Sequence, residues 1–423
     1  MYDKAVDRHL EAVLVARLNT WRSVALLGPR QVGKSYLLTR ILAKHAGHLI
    51  SFDDPKERQD AARDPVRYLE QRYRRGAYLF IDEAARVPEI FSAVKVLVDH
   101  HDPKPTGICV ANSGNYLLLT KIKESLAGRI SLLSMYPLSW QEFNGYHRVP
   151  GLVRLCQGQG PATRIGRPTS WAQIARQREE RLLWGGMPQP SLSPEPDSRI
   201  LWARDYVRTY ILPLVVEQFN IRDSAAFEQA ARLILLENGR FFNANALAQV
   251  VGVSQPTLRS YAHFLEAMMV IRFLPVFLRD LTRRLTKQPR IFVTDPLLFN
   301  QSLDNFSVQK AVDQHVIGRM YEGFVFAELQ KTLANYDVFA RMYTWRTQDQ
   351  AEVDIVLAGS KALIPLEITW SRRPTARDAS GLRAFLDSTP EAKRGYLVYP
   401  GETVQPIASR ILAVPDWWLF GCY

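Results

Sequence analysis

Gly28-Pro29-Arg30-Gln31-Val32-Gly33-Lys34-Ser35 fits the pattern G-x-x-x-x-G-K-[ST], a loop that wraps phosphates. Its glycines let backbone N–H groups point inward, and the N-terminus of the following helix favours negative charge. In such a loop Lys34 reaches the β- and γ-phosphates of ATP, and the Ser35 hydroxyl ligates Mg²⁺. Downstream, the apolar run Ala77-Tyr78-Leu79-Phe80-Ile81 ends in Asp82-Glu83. Asp82 would then hold the Mg²⁺ shell, and Glu83 would orient and deprotonate the attacking water. Another apolar run, Ile108 to Ala111, delivers Asn112, Ser113 and Asn115 towards the γ-phosphate or the water, the role called sensor 1. Which of the three fills it is open. Arg129 has two readings. It stabilises charge on the transferring phosphoryl group, in cis or from a second copy in a homo-oligomer, or it pairs with an acid such as Glu124.

These side chains need a frame. Arg22 to Leu27 reads as a buried strand and Tyr36 to Ala43 has helical spacing, so the loop joins a strand to a helix. Further strand-like runs at Leu49 to Phe52, Ala77 to Ile81, Gly107 to Ala111 and Ile130 to Ser134 alternate with helical stretches. That alternation predicts a parallel sheet with helices on both faces, and ligands bind at the carboxyl edge of such sheets.

A chain of 423 residues accommodates about three domains at ~150 residues each. Its 47% hydrophobic and 23% charged content excludes the disordered class. No apolar run approaches the ~18 residues of a membrane span, and no signal pattern opens the chain, so a cytoplasmic protein without membrane contact is expected. Cys109, Cys156 and Cys422 are too scattered for a disulfide framework or a zinc site. The net charge of +12 is spread along the chain. Its densest cluster is Arg279, Arg283, Arg284, Lys287 and Arg290, read either as a solvated basic face or as a nucleic-acid contact.

Beyond the phosphate loop and Ile81-Asp82-Glu83, the chain carries Arg86-Val87-Pro88, Glu124 to Arg129 (ESLAGR) and Tyr136 to Phe143 (YPLSWQEF), in that order. In these motifs it resembles the AAA-type ATPases of the archaeal-ATPase group, whose C-terminal half is a domain of unknown function. Gly185-Gly186-Met187-Pro188 and Glu352-Val353-Asp354 resemble that group's later motifs, so the likeness runs nearly end to end. Where the group often reads Thr-Gly-Ser after the fourth strand, this chain has Ala111-Asn112-Ser113.

Gly151 to Ser170 reads as a linker, and the helical patterns at Trp171 to Trp184, Ile200 to Phe219 and Ala225 to Glu237 as a lid on the ATPase core. Ala246 to Ser254 followed by Gln255 to Met268 resembles a winged helix-turn-helix, with Met269 to Phe277 as the wing. Its second helix would present Gln255, Thr257, Arg259 and Ser260. Further on, a helix over Val316 to Leu333 and strands at Met342 to Arg346, Glu352 to Leu357 and Leu363 to Ile368 resemble the restriction-endonuclease-like layout. There Glu322, Asp354 and Glu367 would gather a second divalent metal. Thr369 stands where that layout needs its lysine, which argues for a catalytically silent domain.

The expected organisation is an α/β P-loop ATPase core over 1–150, a linker and helical lid over 151–224, a winged helix-turn-helix over 225–280 and a nuclease-like domain over 281–423. The expected function is Mg²⁺-dependent ATP hydrolysis that switches the C-terminal module. Alternatives are a DNA-binding or defence-type effector with ATP-licensed nuclease activity, and an ATP-regulated scaffold for a protein partner. Nucleic acid would be held by the winged helix and the basic stretch Arg279 to Arg290.

Overall fold

Strand β1 (Ser23–Gly28) is buried throughout, and its side chains divide by strict alternation between two faces. Val24 and Leu26 join Phe80 and Cys109 against Leu10, Leu14, Leu37 and Ile41 of the helices Leu10–Thr20 and Lys34–Leu42. Ala25 and Leu27 join Ile81 and Val110 against Leu69, Ile90, Phe91 and Val94 of the helices Pro65–Arg72 and Ile90–His100. A strand apolar on both faces can lie only inside a sheet covered by helices on both sides. The sheet adds β2 (Gly47–Ser51), β3 (Tyr78–Asp82), β4 (Ile108–Ser113) and β5 (Ile130–Ser134), in the order β2-β3-β4-β1-β5. All its pairings are parallel.

Register then fixes the site. Gly28 lies opposite Ser113, and Ser51 opposite Asp82, so the ends of β1, β3 and β4 share one edge. The computed structural model describes residues 6–100, 105–113, 122, 125–161, 170–213, 216, 221, 223–278, 287–347 and 349–423. Asn115, Glu124, Arg279, Asp280, Arg283 and Arg284 lie outside the described residues. Among the described residues, no helix is long and apolar enough to cross a membrane.

The middle region holds the helices Ser224–Leu236, Ala244–Val251 and Gln255–Ala267. Gly252 ends the second of these in a left-handed conformation, φ 79°, and Ser254 caps the third by accepting the Thr257 amide at 3.2 Å. Both follow the sequence reading. Strands β6 (Arg240–Phe241), β7 (Ile271–Leu274) and β8 (Arg290–Val293) form an antiparallel sheet in the order β6-β8-β7. Strand β8 was expected in the C-terminal domain from residue 281, but its ladder ties it to the middle region.

The C-terminal sheet comprises β9 (Ala340–Arg346), β10 (Glu352–Gly359), β11 (Leu363–Ile368), β12 (Gly395–Tyr399), β13 (Gln405–Ala408) and β14 (Ile411–Pro415). Its order is β13-β14-β12-β11-β10-β9, antiparallel from β9 to β11 and parallel from β11 through β12 to β14. The helix Ile317–Asn335 is buried along most of its length and shares a core with this sheet.

One expectation is corrected here. Residues 151–156 form a buried helix, because Leu152, Val153 and Leu155 pack inward and Gly151 leaves room for the Trp418 ring. The glycines and prolines around that segment mask its helical spacing. The helix Trp171–Trp184 touches the ATPase region at Trp140, Phe143 and Tyr146, and its Ile174 and Leu182 also enter the core that holds Phe324 and Trp417. A bidentate pair fastens it there, from Arg178 Nε and Nη2 to Asp416 at 2.5 and 2.7 Å. The Tyr321 hydroxyl donates to the same carboxylate at 2.8 Å.

The Gly185-Gly186 turn shows why these positions exclude side chains. Gly185 has φ 62°, and a Cβ there would lie 1.8 Å from Asp295 Oδ1; one on Gly186 would lie 2.1 Å from the Leu138 carbonyl. Asp295 Oδ2 in turn accepts the Gly186 amide at 2.8 Å. Gly185→Ala therefore combines a clash with a disfavoured φ, and we expect a thermal midpoint lower by several degrees in a calorimetric scan. An unchanged midpoint would show that this turn yields freely.

Candidate active site

The phosphate loop is held open by its own backbone. Gln31 and Gly33 take positive φ values of 63° and 97°, and a Cβ on Gly28 would meet the Met135 carbonyl at 2.5 Å. Lys34 is buried, and its ammonium donates to the Gly28 and Pro29 carbonyls at 3.0 and 2.9 Å and to Ser113 Oγ at 3.2 Å. Burial pushes its pKa down to about 8, against the pull of Glu83 and Asp82.

Ser35 Oγ is hydrogen-bonded to Asp82 Oδ2, while Asp82 Oδ1 accepts the Glu83 amide at 3.0 Å. Glu83 sits at φ 51°, unusual for a residue with a side chain, directly at the strand end. Its carboxylate accepts from the Ser113 hydroxyl. Lys34, Ser35, Asp82, Glu83 and Ser113 thus form one connected cluster at the carboxyl edge of β1, β3 and β4. Of the three candidates for sensor 1, Asn115 lies outside the described residues and Ser113, at the end of β4, faces the cluster. Asn112 is buried, with Oδ1 accepting the Ala85 amide at 3.3 Å, so it braces the turn after Glu83. Pro29 is buried in the loop and Val32 in the core, while Arg30 and Gln31 are exposed. The hard oxygens of Ser35 and Asp82 are the donor type that Mg²⁺ selects.

A strand, a phosphate loop and a helix, with an acidic pair on a neighbouring parallel strand, form the core of residues 20–144, which match the family model described as an AAA domain. The chain carries an AAA domain. Residues 175–309 and 317–419 match two further models, each described as a domain of unknown function (DUF8612 and DUF4143). This division agrees with the placement of β8 in the middle region. Uncharacterized proteins of Mycobacterium bovis and Mycobacterium tuberculosis are each 28% identical over 398 residues, covering 93% of this chain and 79% of theirs. Among solved structures, the Walker-type ATPase PABY2304 of Pyrococcus abyssi aligns at 14% identity and TM-score 0.45, over 72% of this chain and 96% of its own. The Thermotoga maritima RuvB Holliday junction branch migration motor aligns at 19% identity and TM-score 0.27, over 66% and 93%.

The structure does not bring Arg129 to the AAA domain's cluster. It precedes β5, its carbonyl accepts from Ser23 Oγ at the start of β1, and its guanidinium pairs with Asp99 at 2.5 and 3.2 Å. Parallel strands put that edge a full strand length from Gly28.

A residue that the sequence reading passed over is Arg8. Buried, it donates to the Val32 carbonyl inside the loop at 3.0 Å, to the Tyr136 carbonyl at 2.6 Å and to Glu142 Oε1 at 3.0 Å. Against the desolvation that would raise it, Arg8 and the Ser139 and His9 amides hold the Glu142 carboxyl below its ordinary range. Glu142 also completes a capping box with Ser139, which gives the Tyr136 to Phe143 motif a physical role.

The expected second metal site is not formed. Arg290 sits among its carboxylates, donating through Nη1 to Asp354 at 2.5 Å, through Nη2 to Glu322 at 2.7 Å and through Nε to the Gly239 carbonyl at 2.6 Å. The remaining Asp354 oxygen accepts the Ile368 amide at 2.8 Å. Burial first, then the neighbouring Asp354 charge, pushes Glu322 up to about 8, and the same two causes raise Glu367. Among the described residues, no group of three or more His, Cys, Asp or Glu can hold a metal ion. Arg290 is 6% exposed, so it also leaves the expected basic nucleic-acid face, and Lys287 alone of the described members of that cluster stays exposed. Thr369 does nothing lysine-like; its hydroxyl accepts the Ser371 amide at 3.2 Å.

Removing the guanidinium strands two carboxylates in the interior. Arg290→Met should cost about 3–5 kcal/mol in urea unfolding, with part regained in Arg290→Met/Glu322→Gln. A loss below about 1 kcal/mol would mean that the pair contributes little.

Proposed function

We propose that this protein is a Mg²⁺-dependent ATPase whose nucleotide state sets the conformation of the modules beyond its AAA domain. The observation that carries this reading is the convergence of Lys34, Ser35, Asp82, Glu83 and Ser113 at one sheet edge. On binding, Lys34 exchanges its bonds with the Gly28 and Pro29 carbonyls for phosphate oxygens. Ser35 and Asp82 would hold Mg²⁺, which supplies charge neutralisation at the β- and γ-phosphates. Glu83 orients the attacking water and accepts its proton. Ser113, bonded to both Lys34 and Glu83, aligns the two and acts as the sensor.

Lys34→Ala should abolish ATP binding in calorimetric titration. Glu83→Gln should bind ATP normally yet release phosphate about 100-fold more slowly. Wild-type turnover in Glu83→Gln would sink the water-positioning assignment.

The region Ala244–Ala267 with its sheet supports a winged helix-turn-helix, and the helix Ile317–Asn335 with β9 to β11 a nuclease-like unit. We read the latter as silent for cleavage, because Arg290 fills the place of the ion. Duplex DNA incubated with the protein, ATP and Mg²⁺ or Mn²⁺ should stay intact; cleavage that vanishes in Asp354→Ala would overturn this. A scaffold reading has one observation in its favour. A groove of about 510 Å³ between β5 and β9 is lined by Leu132, Arg272, Phe339 and Arg341, with Phe339 76% exposed.

A further inference from the structure

The helix Pro196–Asp205 runs on into a π-helical turn, Tyr206–Ile211, and that turn leans on the phosphate loop. A π turn inserts an extra residue into the helical ladder and re-aims the side chains beyond it, and such turns gather at functional sites. Here it aims two tyrosines. The Tyr206 hydroxyl donates to the Arg30 carbonyl at 3.1 Å, and the Arg30 guanidinium lies 5.4 Å above the Tyr210 ring. Tyr210 is 8% exposed, and its hydroxyl makes no hydrogen bond of ordinary geometry among the described residues. A buried hydroxyl without a partner is costly and uncommon in a folded protein.

The surroundings of that hydroxyl show what would satisfy it. Burial raises the phenol's pKa; the Arg30 cation opposes the rise, the Glu83 carboxylate adds to it, and the Arg30 backbone amide turned to the phenol oxygen lowers it, so what lacks a partner is the hydroxyl proton. Tyr210 thus lies beside Arg30, the third residue of the phosphate loop, with its hydroxyl proton buried and without an acceptor. A phenol donates readily to a phosphate oxygen, and charge-assisted bonds of this kind are the strong ones.

We propose that Tyr210 is a ligand of the nucleotide's terminal phosphate, so that the π turn distinguishes ATP from ADP. This rests on the ATPase reading above. Tyr206 then carries the signal, since it touches the loop backbone with its hydroxyl and stacks on Trp202 with its ring, at 4.7 Å and 16°. Trp202 belongs to a helix whose Ala203 packs against Trp184 and Leu297. Leu297 lies in the helix capped by Asp295, the carboxylate that grips Gly186. The occupied and empty loop thus have a continuous packed route into the middle domain.

The test is a calorimetric titration of ATP, in the Glu83→Gln background to prevent turnover, and of ADP, each with Mg²⁺. Tyr210→Phe should weaken ATP about tenfold or more while ADP stays within about twofold. The ADP affinity also controls for folding. In tryptophan fluorescence, ATP but not ADP should change the emission, and Trp202→Phe or Tyr210→Phe should remove that change. Equal loss of both nucleotides, or no loss of either, would overturn the role of Tyr210 while leaving the ATPase reading intact, provided Lys34→Ala abolishes binding. If the wild-type loop binds neither nucleotide, both ideas fall together.

Discussion

The buried pair Arg8–Glu142 is the interaction on which the rest depends, because the phosphate loop and the turn that meets the C-terminal helix both close on it. Arg8 fixes the phosphate loop through the Val32 carbonyl, and Glu142 fixes the turn that leaves the parallel sheet. Two residues before Glu142, the Trp140 amide donates to Glu328 on the long C-terminal helix at 2.8 Å. A buried ion pair is seldom a large net source of stability, since desolvation consumes much of the attraction. Its worth here is geometric. The guanidinium has five donors in a rigid fork, and three of its nitrogens hold three defined acceptors, so the phosphate loop and the segment from Tyr136 to Glu142 keep one relative arrangement.

The C-terminal region solves a related electrostatic problem in another way. Glu322, Asp354 and Glu367 gather as carboxylates would around an ion, and an arginine from the neighbouring sheet supplies the cation. Because Arg290 starts β8 and Asp295 follows it, one short segment carries both the cation of this cluster and the grip on the Gly185-Gly186 turn. The middle domain is therefore joined to its C-terminal neighbour by a charge pairing, and to the AAA side by backbone contact at Leu138 and Gly186, 2.8 Å apart.

What could be read from the sequence was chemistry compressed into short spacing. The loop Gly28 to Ser35 and the pair Asp82-Glu83 are contiguous because one turn or one strand end must present them, and the alternating apolar runs gave the parallel sheet directly. Arg129 kept two readings because proximity to a strand does not say which end of that strand it occupies; the structure gives it an acid partner, Asp99. Arg290 was read with its basic neighbours; its burial depends on carboxylates 32 and 64 residues away, beyond any local pattern. Tyr206 and Tyr210 gave no signal either, since a π turn is set by packing and not by local propensity. Gly151 to Cys156 failed for a simpler reason: six helical residues between glycines and prolines look like a linker until Trp418 covers them.

The same closure has a temporal side. Gln141, next to Glu142, donates to the Gly421 carbonyl across 280 residues of chain. At synthesis rates of about 5–20 residues per second, the ATPase sheet would be complete roughly 14 to 56 s before that contact can form. During that interval the turn that seats Arg8 lacks both Glu328 and Gly421 as partners. The nucleotide loop of the nascent chain is thus assembled early and braced late, and a chaperone that holds the AAA domain would act on a chemically complete site with an unfinished frame.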